Sequence, residues 1–257
     1  MTTFDAPIIP STAVSHPATP DAARPAPVLG ARGLTKVYGD RSARTVALDG
    51  VDVSIRPAES VAIMGPSGCG KTTLLHVLAG ILRPTEGAVH HAGTDLAGLS
   101  DAERTRLRRS AFGFVFQDGR LLPELTALEN VMLPRLLAGE GRGAAAREAR
   151  ARLDRLGLEG RHGSRPGQLS GGQAQRVAIA RALAGSPSVV FADEPTGALD
   201  QTTGHTVLDV LAGTCREAGA ALVMVTHDPG VARTCERTLA MRDGRIAEEY
   251  HRPGTAA

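Results

Sequence analysis

The segment Gly65-Pro66-Ser67-Gly68-Cys69-Gly70-Lys71-Thr72-Thr73 constrains this chain more than any other. It satisfies G-x-x-x-x-G-K-[ST], in which glycines let the backbone close round a polyphosphate, the lysine reaches the outer phosphate oxygens and the hydroxyl holds Mg²⁺. The apolar run 60–64 before it reads as a short buried strand. Residues 73–80 after it read as a helix stopped by a glycine. A loop in that place aims the free N–H groups and the positive dipole end of the helix at the phosphates. The chain has only two lysines, Lys36 and Lys71, and its other basic residues are arginine. Lys71 stands where a slim point charge fits and the wider guanidinium fork does not.

A length of 257 residues with 42% hydrophobic and 22% charged content is that of an ordinary globular chain of one or two domains. A net charge of +2 gives no field strong enough to favour nucleic acid as a partner, and no basic stripe is interleaved with aromatics. No apolar stretch reaches the roughly 18 residues of a membrane span. The three cysteines, Cys69, Cys215 and Cys235, have no metal-ligand spacing and fit a reducing compartment. Cys69 lies inside the phosphate loop, so its alkylation by a maleimide is expected to block the site and nucleotide to protect it.

Residues 1–28 are rich in Pro, Ala, Ser and Thr and read as a disordered leader. Apolar and polar residues alternate over 29–38 and 45–55, as in antiparallel strands. Tyr38 precedes the loop where an adenine could stack on it, or where it simply packs at a strand end. Ser100 and Glu103 cap a helix whose run Arg104, Arg106, Arg108, Arg109 reads as a solvated face. Phe112, Phe114 and Phe116 alternate on one strand that ends at Gln117. Thr126 and Glu129 form the capping box of a further helix that Pro134 is expected to kink or end. Residues 142–158 read as an exposed helix closed by Gly157. About 95–165 therefore reads as an α-helical insert, continued by a helix up to 183 behind Leu169-Ser170-Gly171-Gly172-Gln173.

Ser170 with two glycines at a helix start is a second anion site, although one triphosphate rarely needs two. The buried strand 188–192 ends in Asp193-Glu194. That spacing lets one carboxylate reach Mg²⁺ through its water shell while the next orients an attacking water. A strand over 221–225 carries Thr226-His227 at its tip, and Arg242-Asp243-Gly244-Arg245 reads as a hairpin turn.

Taken together, these motifs resemble the ATP-binding cassette (ABC) ATPases, the nucleotide-binding subunits of ABC transporters, over about residues 29–250. The resemblance rests on Walker A at 65–73, Gln117, the LSGGQ signature at 169–173, Walker B ending at Asp193-Glu194, the loop Gly197-Ala198-Leu199-Asp200, and His227, all in the family's order. Phe114-Val115-Phe116-Gln117, Leu121-Leu122-Pro123 and Asp193-Glu194-Pro195-Thr196-Gly197 are similar to the branch handling lipoprotein release, macrolide export and antimicrobial-peptide resistance. Ala174 and Thr234-Cys235-Glu236-Arg237 depart from that branch without touching a phosphate-contacting position.

The resemblance implies an α/β fold of the P-loop NTPase type: a mixed sheet core, an antiparallel β subdomain and an α-helical insert, followed by a tail at 251–257. It implies ATP and Mg²⁺ as cofactors, a homodimer in the ATP-bound state, and a separate transmembrane permease docked near Leu121–Leu128, unless those leucines only fill the insert's own core. It also implies a peripheral place on the cytoplasmic face of the membrane. Gly65, Ser67, Gly68, Cys69, Gly70, Lys71, Thr72 and Thr73 would bind phosphates, with Tyr38 on adenine. Thr72, Gln117 and Asp193 would hold Mg²⁺. Glu194 would activate water, and His227 would steady the γ-phosphate. Ser170, Gly171, Gly172 and Gln173 would serve the partner's nucleotide, and Asp200 would couple the two sites. The implied function is ATP hydrolysis powering export or membrane extraction of a hydrophobic or amphipathic substrate. The alternative is transmission of force through a permease-like membrane partner without transport.

Overall fold

The computed structural model describes residues 26–39 and 43–252, so residues 1–25 of the expected leader and 253–257 of the tail lie outside the described residues. Strands β1 (Leu29–Tyr38), β2 (Thr45–Ile55), β4 (Glu86–His91) and β5 (Thr94–Asp95) form a four-stranded antiparallel sheet in the order β2-β1-β4-β5. A second sheet takes β3 (Ser60–Met64), β6 (Phe112–Phe116), β7 (Val189–Asp193), β8 (Ala221–Thr226), β9 (Arg237–Arg242) and β10 (Arg245–His251). Its order is β10-β9-β3-β8-β7-β6, parallel except at the β9–β10 hairpin. Strands buried on both faces read as unbroken apolar runs, as in Ala221–Thr226, whereas β1 and β2 alternate because one face meets water.

The helices are α1 (Lys71–Leu78), α2 (Asp101–Ala111), α3 (Ala127–Leu137), α4 (Arg142–Arg155), α5 (Gly171–Leu183), α6 (Gln201–Glu217) and the single turn α7 (Pro229–Ala232). The boxes at Ser100, Thr126 and Ser170 are each closed on both sides by the glutamate or glutamine three residues on, so the serines and threonine start their helices where the sequence places them.

The core has two parts. One packs α1 through Leu74, Leu75 and Leu78 between the two sheets, against Leu29, Ile55 and Phe191. The other lies between the six-stranded sheet and the helical layer and holds Val131, Leu153, Ile179, Val190 and Leu208. Each such leucine or isoleucine taken wholly out of water contributes about 1.5–3 kcal/mol.

Three expectations need correction. The helical insert expected over about 95–165 is divided by the strand expected at Phe112–Phe116, because β6 belongs to the six-stranded sheet and pairs in parallel with β7, Phe116 opposite Asp193. Pro134 does not end α3, which runs on to Leu137. The proline sits near the helix end, where one backbone bond is lost, and packing on α4 and α5 outweighs it. The arginine run of α2 is not uniformly solvated: Arg104 is buried and paired with Asp101, and Arg108 donates to the Gly80 carbonyl at 2.7 Å.

His91 joins the two sheets. Its Nε2 lies 2.8 Å from the Ser188 hydroxyl, whose own proton goes to the Ala111 carbonyl at 3.1 Å, so His91 is the donor. Its ring meets Phe112 edge-on at 5.0 Å. Burial pushes its pKa below the ordinary 6.5. The unfolded chain therefore takes up a proton before the folded one does, and His91 contributes stability above the unfolded pKa that is lost as pH falls through the folded one. Denaturant midpoints at about pH 7.5 and about pH 5.5 should differ more in the native protein than in His91→Gln. An equal pH response in the two proteins would rule His91 out as the cause.

Candidate functional site

The phosphate loop is shaped by close approach of backbone to backbone. A Cβ on Gly65 would run into the Met241 carbonyl of β9, and one on Gly70 into the Ala47 carbonyl of β2. Gly70 is also in the left-handed region at φ 103° and caps α1 without any side-chain bond. The Gly244 N–H donates to Cys69 O at 3.1 Å, and the Asp49 N–H to Gly244 O at 3.0 Å, so the β9–β10 turn braces the loop from outside. Asp243 at φ 49° and Gly244 at φ 78° give that turn its two positive-φ residues.

Lys71 is 8% exposed and folds its ammonium back over the loop, donating to Gly65 O at 2.8 Å and Pro66 O at 2.9 Å. A third N–H remains, aimed from a preorganised position. The N–H groups of the first turn of α1 have no acceptor within the helix. With Gly68 at φ 80°, they form the concave set of donors an anion requires. Gly65 and Ser67 line an open cleft of about 550 Å³ together with Met64, Pro66, Glu194, His227 and Pro229.

For Cys69 the geometry differs from the expectation. Its side chain is 6% exposed and packs in the core beneath Gly65, while its N–H turns to Pro66 O at 3.3 Å. The thiol is a filler below the loop and not a group beside the phosphates.

On the opposite side, the Thr72 hydroxyl lies 3.5 Å from Asp193 Oδ1, long for a direct bond. Burial raises the Asp193 pKa above the ordinary carboxylate value, with the neighbouring Glu194 adding to it and the Thr72 hydroxyl opposing it. Gln117 follows Phe116, the register partner of Asp193, and its amide packs directly on Gly197, where a Cβ would come within 2.9 Å of it. Hydroxyl, amide and carboxylate are hard oxygen donors that suit Mg²⁺ sharing phosphate and water ligands. A half-buried carboxylate whose charged form is disfavoured by desolvation also fits a cation beside it.

Glu194 has φ 46°, left-handed backbone that a non-glycine residue adopts at a cost of about 1–3 kcal/mol. The strain is held by its N–H bond to Val225 O and by the Gly197 N–H bond to its carbonyl, each 3.0 Å. In that pose Oε1 lies 3.0 Å from His227 Nδ1, leaving Oε2 for another partner.

Ser170 and Gly171 are exposed at the head of α5. Ser170 Oγ accepts from the Gln173 N–H at 3.3 Å, and Gln173 Oε1 accepts from the Ser170 N–H at 3.0 Å. The hydroxyl proton and the N–H of the exposed Gly171 are thereby left free, and the N–H of the buried Gly172 likewise has no acceptor within the helix. Cβ atoms on Gly171 and Gly172 would press on Leu199 and Thr203, so these glycines also let α5 approach the loop before α6. Asp200 heads α6, with Oδ1 accepting from the Thr203 N–H at 3.0 Å, and that bonding holds its carboxyl below the usual range. Tyr38 is 41% exposed at the end of β1, with the Lys36 ammonium 5.2 Å above its ring.

The structure thus gathers Lys71, Thr72, Gln117, Asp193, Glu194 and His227 at the ends of β3, β6, β7 and β8, while Ser170 to Gln173 belong to the helical layer. Two residues given no role by the sequence analysis are the polar pins Asn130 and Gln175. Asn130 is fully buried, donates to the carbonyls of Leu122, Leu125 and Thr126, and accepts from the Leu122 N–H. Gln175 is buried in α5. The signal available was an amide at a buried position of an otherwise apolar helix face.

The sequence profile of the family described as "ABC transporter" matches residues 48–197. The chain belongs to the ABC transporter ATP-binding subunits. It is 47% identical over 221 residues to the lipoprotein-releasing system ATP-binding protein LolD of Xanthomonas axonopodis pv. citri, covering 86% of this chain and 91% of that protein. It is 46% identical over 220 residues to LolD 2 of Caulobacter vibrioides, covering 86% and 96%. Among solved structures it is similar to the dimeric post-hydrolysis state of the cassette MJ0796 bound to ADP and Pi, with a TM-score of 0.80 and 41% identity over 88% of this chain and 99% of that one. The ABC fold and the ATP-hydrolysing activity of the family are therefore those of this chain.

The three thiols test the placement of the loop. All are buried, and burial pushes Cys215 and Cys235 up to about 12. In the folded protein a maleimide should label Cys69 slowly whether or not nucleotide is present, and all three cysteines should label in denaturant. Rapid stoichiometric labelling of native Cys69, checked by mass spectrometry, would contradict its buried pose.

Proposed function

We propose that this chain is the ATPase of a lipoprotein-releasing system, working as a pair of copies beneath a separate membrane permease. The observation that carries the two-copy reading is the second anion-binding helix start. The head of α5 is exposed, and α5 packs on α3, α4, α6 and β6, whereas α1 packs on β1, β2, β7 and β8. Two such starts in separate layers of one chain are both used when a second copy, related by a two-fold axis, brings its Ser170 to the Lys71 loop of the first. MJ0796, similar over nearly its whole length, is dimeric with ADP and Pi.

In this arrangement Lys71 and the N–H groups of Gly68, Gly70, Thr72 and Thr73 hold the phosphates, and Tyr38 offers its ring to the base. Thr72, Gln117 and Asp193 would hold Mg²⁺, which neutralises phosphate charge. Glu194 orients the attacking water through the carboxylate oxygen that His227 leaves free, and takes up its proton. Asp200, which lies in the loop that begins at Gly197 and caps α6 through the Thr203 N–H, would couple the two sites. Hydrolysis removes the charge that bridges the copies, and their separation is the mechanical output.

Among the described residues no helix is long and apolar enough to cross a membrane. In the proposed system the lipid-facing work belongs to the permease, with this chain peripheral on the cytoplasmic face. The segment after Gln117 suits its docking. Leu121 and Leu128 pack inward, but Leu122 is 42% exposed on a loop pinned by Asn130. Beside it a groove of about 360 Å³ is lined by Phe114, Phe116, Leu133 and Leu137. The lipoprotein assignment rests on the 46–47% identity to LolD proteins.

Glu194→Gln should bind ATP and accumulate as a dimer in size-exclusion chromatography with light scattering, while Lys71→Ala should lose ATP binding. A Glu194→Gln protein that stays monomeric at saturating ATP would refute the paired site. Leu122→Asp should keep the ATPase fold but lose co-purification with its partner permease, together with lipoprotein release from membranes. Release at the native rate would remove Leu122 from the docking surface.

A further inference from the structure

Gln175 is 3% exposed on a face of α5 where Gly172, Ala178 and Ile179 are also buried. Packing alone does not call for an amide there, since a buried polar group costs free energy unless every hydrogen bond is returned. Here both donors are satisfied. The Gln175 Nε2 donates to Phe116 O at 2.8 Å and to Pro195 O at 2.7 Å, using both N–H groups. One acceptor immediately precedes Gln117 and the other immediately follows Glu194. Because Phe116 stands opposite Asp193 across β6 and β7, the two bonds bracket Gln117, Asp193 and Glu194 together.

The same helix reinforces the grip further along. Arg181 donates to Gly119 O and Arg120 O, both at 2.7 Å, so the loop after Gln117 is tied to α5 at two levels. Ser170 heads this helix about one and a half turns before Gln175. A rigid helix carrying an anion-binding head at one point and a clamp on the water-activating carboxylate at the next is a mechanical link between the two.

We infer that Gln175 is a positioning residue for ATP hydrolysis, holding the helix that bears Ser170 in register with Gln117 and Glu194. The inference rests on the proposed reading in which those three residues meet nucleotide. Seating of Ser170 on a phosphate moves α5, and the amide carries that movement to the backbone on either side of the Walker B carboxylates. Loss of the amide leaves the phosphate loop, and hence nucleotide affinity, in place.

The test compares Gln175→Met, which keeps length and volume without donors, with Gln175→Leu, which likewise removes both N–H groups and adds no charge. In the full chain, kcat should fall about 10- to 100-fold, the loss typical of a misplaced catalytic group. The Kd for a fluorescent ATP analogue should change less than about threefold, although Tm falls by several degrees because two buried carbonyls lose their donors. Should one variant fail to fold, the other decides. Turnover within about twofold of native, or a parallel fall in kcat, affinity and Tm, would overturn the positioning role in favour of packing. Glu194→Gln serves as the control. If it is inactive while Gln175→Met is active, only the positioning role fails. If it turns over at the native rate, the site assignment fails and the role of Gln175 fails with it.

Discussion

Two backbone carbonyls, those of Ala47 and Met241, occupy the space that side chains at Gly70 and Gly65 would need. That close approach fixes the phosphate loop between β2 and β9, and the other site geometry follows from it. With the loop wedged, the Lys71 ammonium is held by two loop carbonyls, and the Cys69 thiol fills the gap beneath them. The donors are thus in place before any nucleotide arrives, and little conformational entropy is left to lose on binding.

The second organising element is α5, which belongs to the helical layer but is bonded to the edge of the sheet. Its contacts are side-chain amide and guanidinium groups reaching backbone carbonyls: Gln175 to Phe116 and Pro195, and Arg181 to Gly119 and Arg120. Such bonds are directional, so they transmit orientation where apolar packing alone would allow sliding. Across the sheet, Glu194 is kept in left-handed backbone by Val225 and Gly197, which aims its carboxylate at His227.

Much of this was legible before any coordinates. Period-two alternation placed β1 and β2, capping boxes placed the starts of α2, α3 and α5, and the Asp243-Gly244 pair placed the last hairpin, because each signal is local chemistry. What was not legible depends on distant partners. Nothing local says that Arg104 turns inward, that Pro134 is carried by packing on α4 and α5, or that β6 joins a sheet whose next strand lies more than seventy residues on. The candidate site divides in the same way. Lys71, Asp193, Glu194 and His227 announce themselves by type and spacing, but the direction of the Cys69 thiol and the double bond of Gln175 exist only once separate segments meet.

The β9–β10 hairpin has a consequence for how the protein is made. A ribosome delivers the phosphate loop long before the hairpin, yet Met241 walls one side of Gly65 and Gly244 bonds to Cys69. Strand β3, which leads into the loop, also waits for β8 and β9 to cover its two edges. The loop and the strand that leads into it therefore take their shape only after β8, β9 and the β9–β10 turn have emerged, so the cradle closes late in folding although its own residues come early in the chain.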